Sequence, residues 1–225
     1  MKSHHTLGQG LALLSVAAAL LGAAAAHAST LSFYVDLDTS ALAGGNPAGP
    51  FFLDLQLTHV SGPVNTVKLS DFSFTGGAES GPAFTTGGAA GSIRNTVNLT
   101  ETDFLNELFQ GFTADTTNIF FRVDLTTNTP GLIPDGFGVA ILDNNLFNLA
   151  TNAPGSDQLV QADINAGLTL GGIATYSSVG PGTGGVTAKV SRIPDLANTA
   201  WLLLAPVGVV AGLRRRRTTS GPQAA

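Results

Sequence analysis

The stretch that decides the fold is Leu-Ser-Phe-Tyr-Val-Asp-Leu-Asp, residues 31–38. Its odd-numbered residues are all apolar, and its even-numbered ones are Ser, Tyr or Asp. Successive side chains of a β-strand point to opposite faces, so this alternation predicts a strand with one face in a core and the other in water. The pattern recurs at residues 51–58 and 119–125. The sequence therefore predicts strands that each bury one face.

Further strands are predicted at residues 93–99, 136–142, 159–164 and 172–177, between turns rich in Gly, Pro and Asn. In residues 66–74 the apolar phase shifts between Leu69 and Phe72, which predicts a bulge near Ser70 and Asp71. About eight short strands with hairpin-length turns favour an all-β fold, an antiparallel, jelly-roll-like β-sandwich over residues 29–178. Residues 179–192 are either a Gly-rich linker or a last strand.

One stretch, residues 100–112, departs from the alternation. Leu105, Leu108 and Phe109 stand at helical spacing, Asp103 can cap the start and Gly111 can end the element. The pattern predicts one short helix across an end of the sandwich.

Composition excludes several classes of site. The chain has no Cys, which excludes disulfides and thiolate chemistry, and His59 is the one His after residue 28. With one His and no Cys, a zinc site is not expected. Residues 29–192 contain 14 acidic and five basic residues, a formal charge of −9. Nucleic acid is therefore not an expected partner, whereas cations are.

The first 28 residues have the features of a signal peptide. Lys2 supplies the positive start, residues 7–21 are apolar, and Ala26-His27-Ala28 is a small-x-small cleavage site. We expect signal peptidase to cut after Ala28 and the protein to be exported.

Near the other terminus lies an apolar run, residues 196–213, of 18 residues without charge. As a helix it would be about 27 Å long, enough to span the hydrocarbon core of a bilayer. Trp201 suits an interface, and Arg214, Arg215, Arg216 and Arg217 form a membrane stop that favours the cytoplasmic side. A C-terminal transmembrane helix is therefore predicted, with residues 218–225 as a short polar tail.

These features together resemble the bacterial PEP-CTERM proteins. The family motif Val-Pro-Glu-Pro corresponds to Ile193-Pro194-Asp195-Leu196, so the second proline is replaced. The stretches FYVDLDTSALAG, GPFFLDLQL, FLNELFQGFT and VAILDNNL are also similar to an uncharacterised subgroup of the family. The resemblance implies that residues 193–217 are a sorting tail cut by the membrane enzyme exosortase. It also implies an inner-membrane intermediate and a final place at the cell surface or in the extracellular polysaccharide of a biofilm.

The sequence thus predicts a non-enzymatic surface or matrix structural protein, with two alternatives. The first is an adhesion module. It would bind calcium through Asp36, Asp38 and Asp143, since Ca²⁺ prefers oxygen ligands, or carbohydrate through the outward Tyr34 and Phe120. The second is a secreted hydrolase using His59, although no G-x-S-x-G motif is present. No cofactor other than calcium is expected.

Overall fold

The structure, a computed structural model, describes residues 29–44, 49–127, 133–164 and 167–193. This part of the chain forms twelve β-strands and a 3-10 helix at Leu170–Gly172. The strands are β1 (Ser29–Asp38), β2 (Phe51–Thr58), β3 (Thr66–Thr75), β4 (Glu79–Thr86), β5 (Gly88–Gly91), β6 (Val97–Thr100), β7 (Leu105–Phe112), β8 (Asn118–Thr127), β9 (Asp135–Leu142), β10 (Val160–Ile164), β11 (Ile173–Thr175) and β12 (Thr187–Arg192).

The strands form two six-stranded sheets in which all neighbours are antiparallel. Sheet I has the order β12-β1-β8-β3-β6-β5, and sheet II has the order β11-β10-β9-β2-β7-β4. Apolar side chains from both sheets form one buried cluster, as in a β-sandwich. The predicted all-β, antiparallel fold class is confirmed.

The predicted inward faces of the three alternating stretches are confirmed. Phe33, Val35 and Leu37 of β1 are fully buried, and so are alternate residues of β2 and β8. β8 lies between β1 and β3, and its Phe121 stacks on Phe72 of β3 with ring centroids 5.2 Å apart. The period-two pattern therefore places the centre of the core correctly.

The predicted bulge in β3 is also confirmed. The register between β3 and β8 shifts between Ser70 and Ser73, and Asp71 has a φ of 57°. The inward positions of β3 consequently change from Val67 and Leu69 before the bulge to even-numbered residues after it.

The predicted helix within residues 100–112 is wrong, because Leu105–Phe112 is strand β7, paired with β2 and β4. Its inward side chains are Asn106, Leu108, Gln110 and Phe112, all buried. Two of these four are polar, so the period-two pattern does not show as an apolar alternation. The apolar residues that remain happen to fall at helical spacing.

The last described strand, β12, pairs with β1 from Asp38↔Thr187 to Phe33↔Arg192. Residues 187–192 are thus part of sheet I, which continues past residue 178. Ile193 follows β12 directly, beside Leu168 and Leu170 in a shallow depression.

Several predictions concern residues outside the described ranges. These are the signal peptide with Ala26 and Ala28, the motif residues Pro194 and Asp195, the apolar run 196–213, the arginines at 214–217 and the polar tail 218–225. No helix in the described ranges is both long and apolar enough to cross a membrane.

Candidate functional site

A cluster of ligand-bearing side chains lies at one end of the sandwich, where residues 59–65 connect β2 of sheet II to β3 of sheet I. At the start of this loop the ladder Thr58↔Gly136 places His59 beside Asp135, the first residue of β9. At its end the ladder Thr66↔Thr100 places Asn65 beside Glu101. The loop therefore brings two carboxylates from different sheets to one imidazole.

The cluster is compact. The Nδ1 atom of His59 lies 3.1 Å from Glu101 Oε2 and 3.4 Å from Asp135 Oδ1. The ligand atoms of the three residues all lie within 4.8 Å of one another, and no other such group of His, Cys, Asp or Glu occurs in the described ranges.

Neighbouring groups fix the two carboxylates. The backbone amide of Asn65 donates to Glu101 Oε2 at 2.6 Å, and its side-chain Nδ2 donates to Asp135 Oδ2 at 2.9 Å. The amide of Val60 donates to Asp135 Oδ1 at 2.7 Å. Both acids are held in one orientation by the same loop that carries His59.

Burial of the two carboxylates raises the free energy of their charged forms. The side chains of Glu101 and Asp135 are 0% and 4% exposed, whereas that of His59 is 29% exposed. Burial raises the pKa of Glu101, and the charge of Asp135 adds to that rise, while the hydrogen bond from Asn65 and the nearby His59 oppose it. Two ionised carboxylates that are close together and buried need a positively charged partner to offset their desolvation and mutual repulsion.

Sequence reasoning found only His59 in this cluster, as a candidate base for a hydrolase. Glu101 and Asp135 are separated from it by 42 and 76 positions and belong to no local motif. The one sequence feature that the three residues share is that each lies directly at a strand end. Pairing of those strand ends could not be deduced without the sheet order.

Of the predicted calcium ligands, Asp36 and Asp38 line one depression on sheet I, whereas Asp143 follows β9 of sheet II, so the three do not form one cluster. Asp36 and Asp38 lie on the outer face of β1, where Asp36 Oδ1 accepts from Asn118 Nδ2 at 2.5 Å and lies opposite Lys189. The side-chain hydrogen bond from Ser40 lowers the pKa of Asp38. These two acids already have donors and a cation beside them.

Asp143 follows β9 in sheet II and organises a turn. Its Oδ1 accepts from the amides of Asn145 at 2.8 Å and Phe147 at 2.9 Å. Although burial acts in the opposite direction, these bonds lower the pKa of Asp143. Asp143 thus has a local structural role in the turn.

A row of aromatic side chains lies on the outer face of sheet II. Phe109 of β7 stacks on Phe84 of β4, with centroids 5.1 Å apart, and meets the edge of Phe52 of β2 at 6.0 Å. Phe84 on the edge strand is 48% exposed. The smaller aromatic pair on sheet I, Tyr34 and Phe120, has centroids 4.9 Å apart.

Beside the aromatic row lies a pair of carboxyls, Asp54 and Glu107. Gln56 Nε2 donates to Asp54 Oδ2 at 2.6 Å and to Glu107 Oε1 at 3.2 Å. Asp54 is 0% exposed, and burial, together with the charge of Glu107, raises its pKa to about 8. Gln158 donates to Gln56 at 3.3 Å and lies over Gly138, where any side chain would collide with it.

The hydrolase hypothesis for His59 requires a nucleophile hydrogen-bonded to its imidazole. Ser61 is the Ser nearest His59 in the sequence, but its Oγ makes no hydrogen bond within the described ranges, so no Ser–His pair is formed there. Asp54 is fully buried and cannot touch a substrate in this conformation.

No protein-family model, no curated protein and no solved structure matches this chain.

Proposed function

We propose that this chain is an exported, non-enzymatic structural protein of the cell surface or extracellular matrix. The observation that carries the proposal is that β1 and β12, the first and last described strands, are neighbours in sheet I. The described sandwich, from Ser29 to Arg192, lies within the span between the predicted signal cleavage and the predicted sorting motif. Because β1 and β12 are neighbours in sheet I, removal of both flanking segments would leave the described sandwich whole.

The route follows from the segments that flank the sandwich. Signal peptidase removes residues 1–28, and a transmembrane helix at residues 196–213 stalls in the inner membrane with the four arginines in the cytoplasm. An exosortase-type enzyme then cuts near Pro194 and transfers the body to the surface or the matrix. The body itself is jelly-roll-like: the neighbours β1, β8, β3 and β6 in one sheet and β2, β7 and β4 in the other support this topology.

Replacement of Arg214, Arg215, Arg216 and Arg217 by Ala tests the route. We expect the variant to lose processing, because nothing then holds the helix end on the cytoplasmic side. Intact mass and cell fractionation in a host with an exosortase should give a body ending near residue 194 for the wild type only. A matched variant, Thr218→Ala with Thr219→Ala, should be processed normally. A wild-type chain that keeps its C-terminus in the membrane would contradict the proposal.

The aromatic row favours a second candidate function, binding of extracellular polysaccharide by the outer face of sheet II. Sugar rings have apolar faces that pack on aromatic side chains and hydroxyls that bond to carboxylates and amides. Phe84 and Phe109 supply the apolar surface, and Glu107 and Gln56 supply polar groups next to it. Both kinds of group lie on one sheet face, as a polysaccharide chain requires.

Phe84→Ala should weaken binding to the host's purified extracellular polysaccharide about tenfold, because it removes about 1.4 kcal/mol of contact with an exposed ring. Affinity electrophoresis measures the change. Phe147→Ala removes an isolated Phe that is 71% exposed and should leave binding unchanged. Equal loss in both variants, or no binding by the wild type, would exclude this surface.

A further inference from the structure

The His59–Glu101–Asp135 cluster contains buried polar atoms with nothing to bond to. In the described ranges three buried side-chain atoms lack a hydrogen-bond partner, and two of them, Glu101 Oε1 and Ser61 Oγ, belong to this end of the sandwich. Glu101 Oε1 shares its carboxylate with Oε2, the atom next to His59, so it lies within the cluster. An unpartnered buried carboxylate oxygen costs free energy unless a ligand satisfies it.

The spacing of the ligand atoms fits a small divalent ion. At metal–ligand bonds of about 2.1 Å, neighbouring ligand atoms lie about 3.0 Å apart in an octahedron and about 3.4 Å apart in a tetrahedron. The distances from His59 Nδ1 to Glu101 and to Asp135 are 3.1 and 3.4 Å. All three ligand atoms lie within 4.8 Å of one another, so side-chain rotation that draws the two carboxylates together lets them and the imidazole bind one ion.

Charge also distinguishes a metal ion from a simple ion pair. When both buried carboxylates are ionised, a protonated His59 neutralises one of them and leaves the other uncompensated. Its Nδ1 faces Glu101 Oε2 and Asp135, and Glu101 Oε1 has no hydrogen-bond partner. A divalent cation neutralises both acids, and either it or a water bound to it can satisfy Oε1.

We propose that His59, Glu101 and Asp135 form a binding site for a divalent first-row transition-metal ion such as Zn²⁺ or Mn²⁺. The imidazole nitrogen favours these ions over Ca²⁺, which prefers six to eight oxygen ligands at longer distances. Three protein ligands leave at least one position for water. Argument from His and Cys alone did not predict this site, because two of its ligands are carboxylates.

The bound ion ties the loop 59–65 to both sheets. His59 extends β2, Asp135 begins β9 of the same sheet, and Glu101 follows β6 of the other. Asn65 bonds to both carboxylates and acts as a positioning residue for the ligands. The ion thus serves as a cross-link between the sheets at this end of the sandwich.

The test uses the full chain in mild detergent, stripped with a chelator and titrated with Zn²⁺ and, separately, Mn²⁺. We expect one equivalent of Zn²⁺ bound at this cluster and a Tm rise of about 5–10 °C at a hundredfold excess over Kd. His59→Ala, Glu101→Gln and Asp135→Asn should each weaken binding at least about tenfold. His4, His5 and His27 stay in every variant, so differences between variants report this cluster.

The matched control is Asp36→Asn with Asp38→Asn, which removes two acids from another face and should bind Zn²⁺ as the wild type does. Co²⁺ gives a second readout: the wild type should show visible bands that differ from those of aqueous Co²⁺, and Glu101→Gln should not. A wild-type Co²⁺ spectrum identical to that of the aqueous ion, or equal Zn²⁺ binding by the wild type and all three cluster variants, would overturn the proposal.

Discussion

Asp54→Asn should stabilise the protein at neutral pH. The folded chain holds Asp54 protonated up to about pH 8, whereas the unfolded chain releases that proton near pH 4. Between these values the native state binds more protons than the unfolded state, so the wild-type free energy of unfolding falls as pH rises. At about 1.4 kcal/mol per pKa unit, we expect Asn to raise it by about 2–4 kcal/mol at pH 7.

Urea denaturation at pH 5, 6, 7 and 8 measures this effect. The gain of the variant should grow with pH, because Asn carries no proton to lose and still accepts from Gln56. A smaller slope remains in the variant, since the pKa of Glu101 is raised as well. Asp163→Asn, a change at an exposed acid on β10, should leave the wild-type pH dependence intact. A constant difference between Asp54→Asn and the wild type from pH 5 to 8 would contradict the assignment.

Asn106→Ala should have the largest destabilising effect. The side chain of Asn106 is fully buried on the inner face of β7 and bonds to backbone on two sides. Its Oδ1 accepts from the amides of Gly88, Thr102 and Asp103, and its Nδ2 donates to the carbonyls of Leu57 and Asp103. Ala would remove all of these bonds, although the amide of Thr102 keeps its bond to the carbonyl of Thr100 at 2.8 Å. We expect a loss of about 3–5 kcal/mol in the free energy of unfolding.

Thermal and urea unfolding check this prediction, with Asn98→Ala as the control. Asn98 lies exposed on β6, and its replacement should change the free energy of unfolding by less than about 0.5 kcal/mol. A similar small change for Asn106→Ala would show that the turn at residues 101–104 does not depend on this amide.

Asn106 also explains why the sequence did not predict strand β7. β1, β2 and β8 follow from alternation because their inward residues are all apolar, and the bulge follows because the apolar phase visibly shifts at Ser70. On β7 the inward Asn106 and Gln110 bond to the amides of turn residues Thr102 and Ile93, and these turns do not exist until the sheets form. Local sequence cannot reveal that a polar residue is needed inside.

The sequence did not predict the candidate metal site for a related reason. Each ligand lies at the end of a different strand, and those ends become neighbours only through the pairing of β2 with β9 and of β3 with β6. An alternating pattern predicts which face of a strand is buried but not which strand lies next to it. The aromatic row was missed likewise, because Phe84, Phe109 and Phe52 come from three strands.

The pairing of β1 with β12 determines when sheet I can be completed during export on the proposed route. On the proposed route the chain crosses the membrane from its N-terminus, so β1 emerges first and β12 last. One edge of β1 stays open, with its amides and carbonyls unpaired, until residues 187–192 have arrived. Sheet I is therefore completed by the residues directly before the proposed cleavage motif. On this route, only a chain translocated almost to its end is both fully folded and ready to be cut.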